Sequence, residues 1–213
     1  MLLKRAGSVL VTSAALAGVL GLSAGSATAA TSTAVKATWT VKPGGAITAK
    51  AGTTTLTDKN TGNQLKCASS SGKGTLKSGS GLSGTGIGSI TALTFTTCTG
   101  PLGLVFTVHN SHFPWHLNAM SFSSGVTTGT ITGIHSMLSG PSCSAIVDGT
   151  SATANNGQVT ATYSNSTGKL TATGGGNLHL YNVSGCFGLI KSGDVVSFKG
   201  SYAVTPKQTI TSP

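Results

Sequence analysis

Apolar and polar residues alternate along most of the chain beyond residue 30. A period of two places successive side chains on opposite faces of an extended strand, whereas a helix repeats about every 3.6 residues. Thr, Ser, Lys and His occupy most of the alternate positions, which is typical of strands with one face in water. The clearest apolar sets are Leu104-Phe106-Val108, Trp115-Leu117-Ala119, Leu178-Leu180 and Val196-Phe198-Gly200-Tyr202-Val204.

Short turn-forming segments, rich in Gly together with Pro, Asn or Asp, separate these sets. The clearest are Pro43–Gly45, Gly100–Pro101, Gly140–Pro141, Asn156–Gly157 and Ser192–Asp194. Their spacing predicts about ten to twelve short strands and no helix. We therefore predict an all-β fold, either an antiparallel β-sandwich or a closed β-barrel. Asn156-Gly157 further predicts a type I′ hairpin that joins Val147 to Val159.

The composition agrees with β-structure. Of the 213 residues, 31 are Gly, 34 are Thr and 28 are Ser, whereas only 8% are charged and 5% are aromatic. These abundant residues are weak helix formers, so a coiled coil and a helical bundle are excluded. The 38% of apolar residues is enough for a hydrophobic core and argues against a disordered chain.

The first thirty residues have the pattern of a secretory signal peptide. A basic start at Lys4 and Arg5 precedes an apolar stretch, and Ala27-Thr28-Ala29 provides the small residues that a signal peptidase accepts. A membrane anchor is disfavoured because the apolar stretch is shorter than about 20 residues. We predict that residues 1–29 are a cleaved signal peptide and that residues 30–213 are one secreted β domain, extracellular or associated with the cell wall.

The four cysteines of the chain are an even number, which predicts two disulfides in an exported protein. They are Cys67, Cys98, Cys143 and Cys186. Three connectivities are open, and we favour Cys67–Cys98 with Cys143–Cys186 because each pair lies within one half of the chain. The two halves, about 37–139 and 140–206, share a faint internal similarity. A zinc site is disfavoured because the cysteines lack C-x-x-C spacing.

The charge balance is strongly basic. Without residues 1–29 the chain has 11 lysines, no arginine and no glutamate, against three aspartates, which gives a net charge of +8. The lysines are dispersed, which favours an ordinary solvated surface. The alternative is a loose attraction to a partner such as a cell-wall polymer or an envelope protein. We expect no sequence-specific nucleic acid as a partner, because the arginine that commonly reads guanine is missing. No later segment is apolar enough for a transmembrane anchor.

Groups suited to catalysis are scarce. Asp58, Asp148 and Asp194 occur in turn contexts, where a carboxylate commonly binds local backbone N–H groups. The G-x-S-x-G motif of hydrolases does not occur beyond residue 30, nor does a Gly-rich phosphate loop in a strand-to-helix context. A Ser/His/Asp triad that assembles in space stays open, because the chain has 28 serines and five histidines. We predict no catalytic residue and no cofactor.

The densest group of candidate ligands is His109, His112 and His116, which surround Trp115. Pro114 disfavours a helix, so we place these histidines on two strands and the turn between them. This hairpin is a speculative binding surface. Imidazoles that converge across a hairpin bind zinc or copper, but no carboxylate is near in sequence to orient them, so we predict no metal site.

Two interpretations are open for Trp39 and Trp115. Exposed rings beside Thr and Ser would suit stacking on a glycan, whereas buried rings would belong to the core. The small number of aromatic residues favours the core. His135 and His179 lie on alternating strands, where we expect them to face outward.

The type of signal sequence, the Thr/Ser/Gly-rich body and the paired cysteines resemble those of small secreted β-proteins of actinobacteria. Three stretches are similar to an uncharacterised exported family of these bacteria, namely Pro114–Ala119, Gly129–His135 and Asp148–Thr150. This resemblance would span nearly the whole mature chain, and it implies export but no activity. Neocarzinostatin-type apoproteins are similar in composition and in having two disulfides, but their chain is shorter and shares no motif.

Three functions follow as hypotheses. We favour a non-catalytic secreted protein of the extracellular space or cell envelope that acts as a binding or structural module. The second is a secreted hydrolase with a spatially assembled Ser/His/Asp site. The third is a membrane-inserting β-protein, because Ser123–Ile134 is uncharged, rich in Ser, Thr and Gly, and weakly alternating.

Overall fold

A computed structural model describes residues 38–213, so the predicted signal peptide lies outside the described residues. This part of the chain forms fifteen strands and one three-residue 3-10 turn, Pro101–Gly103. The strands are β1 (Thr38–Lys42), β2 (Gly45–Ala51), β3 (Thr54–Asp58), β4 (Gln64–Leu76), β5 (Gly79–Ser83), β6 (Gly88–Thr99), β7 (Val105–Ser111), β8 (Trp115–Ser123), β9 (Val126–Ser139), β10 (Ser144–Asp148), β11 (Gly157–Ser164), β12 (Lys169–Gly176), β13 (His179–Ser184), β14 (Val196–Thr205) and β15 (Thr209–Thr211). The predicted all-β class is confirmed, with more strands than expected.

Twelve strands form one antiparallel sheet that closes on itself. Hydrogen-bonded neighbours run from β11 through β12, β14, β2, β4, β6 and β8 to β9, and β9 also pairs with β11. This ring of eight strands makes the fold a closed barrel, the second of the two predicted architectures. An eight-stranded barrel is just wide enough to be filled by side chains or to hold one small ligand.

The barrel has two tiers because four long strands change partners along their length. At one end, these four strands (β4, β6, β9 and β14) pair with β2, β8, β11 and β12. We call this end of the barrel the capped tier. At the other end they meet β3, β7, β10 and β13, which we call the disulfide tier. A bridge from His179 to Val195 and the hydrogen bond from Val196 N–H to Leu178 O join β13 to the start of β14.

A small separate sheet covers the capped tier. It has the order β15-β1-β5, and it buries Trp39, Val41 and Ile210. These side chains belong to the same hydrophobic cluster as Ile47 and Leu76 of the barrel. Trp39 is therefore a core residue, as the scarcity of aromatic residues predicts.

Alternation of apolar and polar residues decides which side chains enter the barrel. In β11 every second residue is buried, and in β14 Val196, Tyr202 and Val204 are buried. Most of the alternating Thr, Ser and Lys residues remain accessible on the outer face, and Ser197 of β14 is a buried exception. The period read from the sequence thus assigns the two faces correctly.

Both disulfides lie in the disulfide tier, with the connectivity that the sequence favours. Cys67–Cys98 joins β4 to β6, where the two residues are directly opposite each other. Cys143–Cys186 joins the β9–β10 connection to the segment after β13. Residues 38–213 therefore contain no free cysteine.

The hairpin predicted at Asn156-Gly157 is wrong. β10 pairs with β9 and β13, and β11 pairs with β9 and β12, so the two strands are not neighbours. The connection is a wider loop that is held by Asp148. Its carboxylate accepts hydrogen bonds from the backbone N–H groups of Gly149, Asn155, Asn156 and Gly157. This side chain provides the local hydrogen bonds that a tight turn would otherwise make.

Residues 38–213 lie within one compact unit. Strands from before and after residue 139 are neighbours in both tiers, since β9 lies beside β11 in the capped tier and β3 lies beside β14 in the disulfide tier. In the part of the chain described here, no helix has the length and apolar character needed to cross a bilayer.

Candidate functional site

The interior of the barrel contains a cavity of about 110 Å³. Nearly all of its lining consists of aliphatic and aromatic side chains. Representative ones are Leu56, Leu65, Leu93, Phe95, Leu170 and Phe198. A void of this kind is unusual, because protein interiors contain few spaces larger than a water molecule. It is therefore the first candidate for a binding site.

Small inward-facing residues explain why the interior is not filled. Ala49 of β2 lies directly opposite Gly72 of β4, and Ala172 of β12 lies directly opposite Gly200 of β14. Ala49, Gly72 and Ala172 line the cavity, whereas a Cβ at Gly200 would collide with the side chain of Thr54. Each of these strand pairs presents only one methyl group to the interior. A barrel of this size would need larger side chains at Ala49 and Ala172 to be solid.

Two aromatic rings meet in the cavity lining. Phe95 of β6 and Phe198 of β14 have ring centroids 5.8 Å apart and an interplanar angle of 82°. This edge-to-face contact is a favoured arrangement of aromatic pairs. The rings provide flat apolar surface for an occupant.

The few polar groups of the lining are mostly bound to one another. Asn110 donates from Nδ2 to the backbone carbonyl of Leu93 (2.8 Å) and accepts from Ser136 Oγ (2.6 Å). Ser70 donates to the hydroxyl of Tyr202 (3.1 Å). Burial raises the pKa of Tyr202 to about 12, so this phenol is neutral at physiological pH.

Thr54 is the exception among these polar residues. It lines the cavity, its exposed fraction is 1%, and its Oγ1 has no hydrogen-bond partner. A buried hydroxyl without a partner costs about 1–3 kcal/mol relative to a bonded one. Because the neighbouring polar groups are already paired, the lining as a whole favours an apolar occupant over water.

The histidines of the proposed binding surface do not converge. His109 lies on β7 opposite Met137, and His116 lies on β8 opposite Ser89 and Thr132. Both side chains are exposed, as is that of His112 in the turn between the two strands. No three His, Cys, Asp or Glu side chains within residues 38–213 are grouped so as to hold a metal ion.

Trp115 belongs to the interior rather than to a surface. Its exposed fraction is 3%, it lines the cavity, and its Nε1 donates to the backbone carbonyl of Ser111 (3.0 Å). The ring stacks on Phe113 at a centroid distance of 4.9 Å. This position removes Trp115 as an external platform for a glycan.

His135 and Asp148 form a buried hydrogen bond that the sequence pattern did not indicate. His135 of β9 donates through Nδ1 to Asp148 Oδ2 of β10 at 2.8 Å, and the side chains are 12% and 0% exposed. The prediction that His135 faces outward is therefore wrong. Burial acts to raise the pKa of Asp148, but the hydrogen bonds from His135 and from backbone N–H groups outweigh burial and hold that pKa below its usual value.

The His135–Asp148 pair continues toward a serine. The ring of His112 packs edge-on against that of His135, with centroids 4.6 Å apart. His112 Nδ1 lies 3.0 Å from Ser111 Oγ, within hydrogen-bond distance. These four residues are the nearest approach to a Ser/His/Asp arrangement in the described part of the chain. They differ from a triad because the serine contacts a different histidine from the aspartate.

Asp58 and Asp194 have the local roles expected for turn residues. Asp58 Oδ1 accepts from the backbone N–H groups of Asn60 (2.7 Å) and Thr61 (3.0 Å), and Asp194 Oδ2 accepts from that of Lys191 (2.7 Å). Burial and the neighbouring Asp58 carboxyl raise the pKa of Asp194. Asp58 and Asp194 are buried, as is Asp148, which the sequence did not indicate.

Comparison with known proteins adds nothing to this geometry. No protein-family model matches the chain, and no match was found among curated proteins or among solved structures. The candidate site therefore has to be interpreted from its own residues.

Proposed function

We propose that the protein is a non-catalytic binding protein that holds a small apolar molecule, or the apolar part of a larger one, inside its barrel. The single observation that carries this proposal is the cavity of about 110 Å³ with an almost wholly apolar lining. An engineered apolar cavity of about 150 Å³ in another protein stays dry and binds benzene or xenon. An occupant of about that size or slightly smaller matches the space available here.

We further propose that the protein acts outside the cytoplasm. The basic and apolar start of the sequence followed by Ala27-Thr28-Ala29 supports secretion through a cleaved signal peptide. The two disulfides support folding in an oxidising compartment. The lysine-rich surface supports association with an anionic cell-wall polymer or an envelope component.

Calorimetric titration of the mature, disulfide-bonded protein with benzene tests the proposal. We expect one binding site with a Kd of about 1 mM or tighter, because burial of an apolar molecule of this size supplies at least about 4 kcal/mol. The heat-capacity change of binding should be negative, which is the signature of apolar burial.

Two alanines of the same strand provide a matched pair of variants. Ala49 of β2 lines the cavity, whereas Ala46 of β2 is exposed on the outer face. Ala49→Leu should fill part of the cavity and weaken benzene binding at least about tenfold. Ala46→Leu should leave the affinity unchanged. Absence of binding to the wild-type protein, or equal affinities of both variants, would rule out the barrel interior as the site.

A secreted hydrolase is the second candidate, and the contacts of Ser111, His112, His135 and Asp148 favour it. In this alternative, Ser111 would be the nucleophile and His112 the base. Screening of ester, peptide and glycan substrates with wild-type protein and Ser111→Ala distinguishes the two candidates. Turnover that is lost in the alanine variant would support the hydrolase, whereas no turnover by either protein would remove it.

A further inference from the structure

The accessible side-chain charge of the described residues is entirely positive. Ten lysines lie within residues 38–213, and every one of them is exposed. All three aspartates are buried, with exposed fractions of 3%, 0% and 8% for Asp58, Asp148 and Asp194. No lysine of this part of the chain forms an ion pair. The charged part of the outer surface is therefore complementary to an anionic surface.

The exposed apolar side chains, in contrast, are concentrated at one end. Six large apolar residues within 38–213 are exposed, and four of them lie at the end of the disulfide tier. Leu102 and Val105 lie in and after the β6–β7 connection, and Phe187 and Val195 lie in the β13–β14 connection. Leu102 and Phe187 have the largest exposed fractions, 88% and 80%. We call this group the apolar tips.

The backbone at the two most exposed tips is unfavourable for such residues. Leu102 has φ of 57° and Phe187 has φ of 53°, in the left-handed region that favours glycine. A bulky residue in that region costs about 1–2 kcal/mol, and neither side chain recovers this cost by burial in the core. Their presence is explained if the side chains enter an apolar phase that lies outside the protein.

Disulfides and lysines lie at the same end of the barrel as the apolar tips. Leu102 follows Cys98 by four residues and Phe187 directly follows Cys186, so both loops are attached to cross-linked positions. Lys59 and Lys66 flank the β3–β4 turn, and Lys191 lies in the β13–β14 connection. That turn contacts this connection through hydrogen bonds from Lys59 N–H to Val195 O (2.8 Å) and from Asn63 Nδ2 to Leu189 O (2.7 Å).

We propose that the end of the disulfide tier docks on an anionic lipid bilayer, with Leu102 and Phe187 inserted below the headgroups and Lys59, Lys66 and Lys191 beside them. Apolar side chains that enter the interface together with lysines that attract anionic lipids are the combination that holds peripheral proteins on membranes. Each lysine near such a surface contributes appreciably to the attraction, and salt screens it. The proposal does not depend on the cavity, although docking would bring the barrel beside a source of apolar molecules.

Co-sedimentation of the mature protein with lipid vesicles tests this proposal. The vesicles contain phosphatidylcholine and phosphatidylglycerol in a ratio of about 2:1, with phosphatidylcholine alone for comparison. We expect binding to the anionic vesicles that weakens at high salt and is at least about tenfold weaker without phosphatidylglycerol. No sedimentation of the wild-type protein with anionic vesicles would overturn the proposal.

Two matched pairs of variants locate the docking face. The double variant Leu102→Ser/Phe187→Ser should bind anionic vesicles at least about tenfold more weakly than the wild type. The double variant Met120→Ser/Met137→Ser, which changes the two other exposed apolar positions, should bind them as the wild type does. The double variant Lys59→Gln/Lys191→Gln should bind more weakly than Lys169→Gln/Lys207→Gln, which removes the same charge at the start of β12 and in the β14–β15 connection. Equal effects within either pair would contradict docking through the apolar tips.

An additional variant reports insertion directly. Phe187→Trp should show a blue shift of tryptophan emission when anionic vesicles are added, while the same vesicles should leave a Met120→Trp variant unchanged. An unchanged spectrum of Phe187→Trp would show that the tip remains in water and would overturn its insertion. Benzene binding by the tip variants should equal that of the wild type, so failure of docking is separable from failure of the cavity site.

Discussion

At the scale of single residues, buried polar groups decide local structure in this protein. Asp148 is fully buried, and five hydrogen bonds to its carboxylate hold the loop from Gly149 to Gly157 and fix His135. Thr54 is equally buried but has no partner for its hydroxyl. The two residues therefore make opposite contributions to the free energy of unfolding.

Asp148→Asn should destabilise the protein at neutral pH by about 2–4 kcal/mol, because the amide cannot accept all the hydrogen bonds of a buried carboxylate. The folded-state pKa of Asp148 is lowered, so its stabilisation is present above the pKa of the unfolded chain and is lost as pH falls through the folded value. Urea unfolding at several pH values checks this. The difference between variant and wild type should shrink below about pH 4.

Asp194→Asn serves as the comparison, since the pKa of Asp194 is shifted upward. Ionisation of this buried group opposes folding above the pKa of the unfolded chain. The asparagine variant should therefore lose less stability at neutral pH than Asp148→Asn. A larger loss for Asp194→Asn would contradict the assigned directions of the two shifts.

Thr54→Val should raise the free energy of unfolding by about 1 kcal/mol or more, because it replaces an unpaired buried hydroxyl with a methyl group of similar size. Thr55→Val, at the next position of β3, controls for the higher β-propensity of valine. Thr55 is half-buried, so its replacement should change stability little. Equal effects of the two substitutions would show that the unpaired Thr54 hydroxyl does not lower the free energy of unfolding.

At the scale of elements, the sequence predicts strands and faces well but not their partners. Alternation identifies β7, β8 and β14, and cysteine spacing gives both disulfides. The pairing of β9 with β7, β8, β10 and β11 is a long-range property that local periodicity does not contain. The hairpin prediction failed for the same reason, because it used only local sequence. Asn156-Gly157 has the right residues for a tight turn, but hydrogen bonds to Asp148 hold a wider loop there.

The close packing of β8 against β9 requires a glycine at position 129. A Cβ at this position of β9 would collide with the backbone carbonyl of Asn118 in β8. Gly129→Ala should therefore destabilise the protein by about 2 kcal/mol, as measured by urea unfolding. Gly52→Ala is the matched control, since a Cβ there meets nothing within 4 Å, and it should change stability by less than about 0.5 kcal/mol. A comparable loss for both alanines would refute the close contact.

At the scale of the whole molecule, the closed sheet creates an interior that the sequence did not reveal. Ala49, Gly72, Ala172 and Gly200 look like ordinary small residues of a Gly-rich chain. Only the register of the strands places them opposite one another, and Ala49, Gly72 and Ala172 then line the same cavity as Phe95 and Phe198. The candidate site was therefore out of reach of motif analysis, which pointed to His109, His112, Trp115 and His116 instead.

Surface and interior together describe a protein with two distinct apolar features. The cavity is lined by strands of both tiers, and the apolar tips lie in or beside the connections at one end. The charge that surrounds them is positive because the three aspartates are buried. A ligand-binding interior and a membrane-facing end are separate proposals, and each has its own experiment.

A dry apolar barrel interior that accepts a ligand should also accept xenon, which occupies apolar cavities. In a crystal structure of the mature protein under xenon pressure, we expect a xenon atom inside the ring of strands, in contact with Phe95, Phe198 or Leu93. Ordered water in that space, or an interior that side chains fill completely, would contradict it.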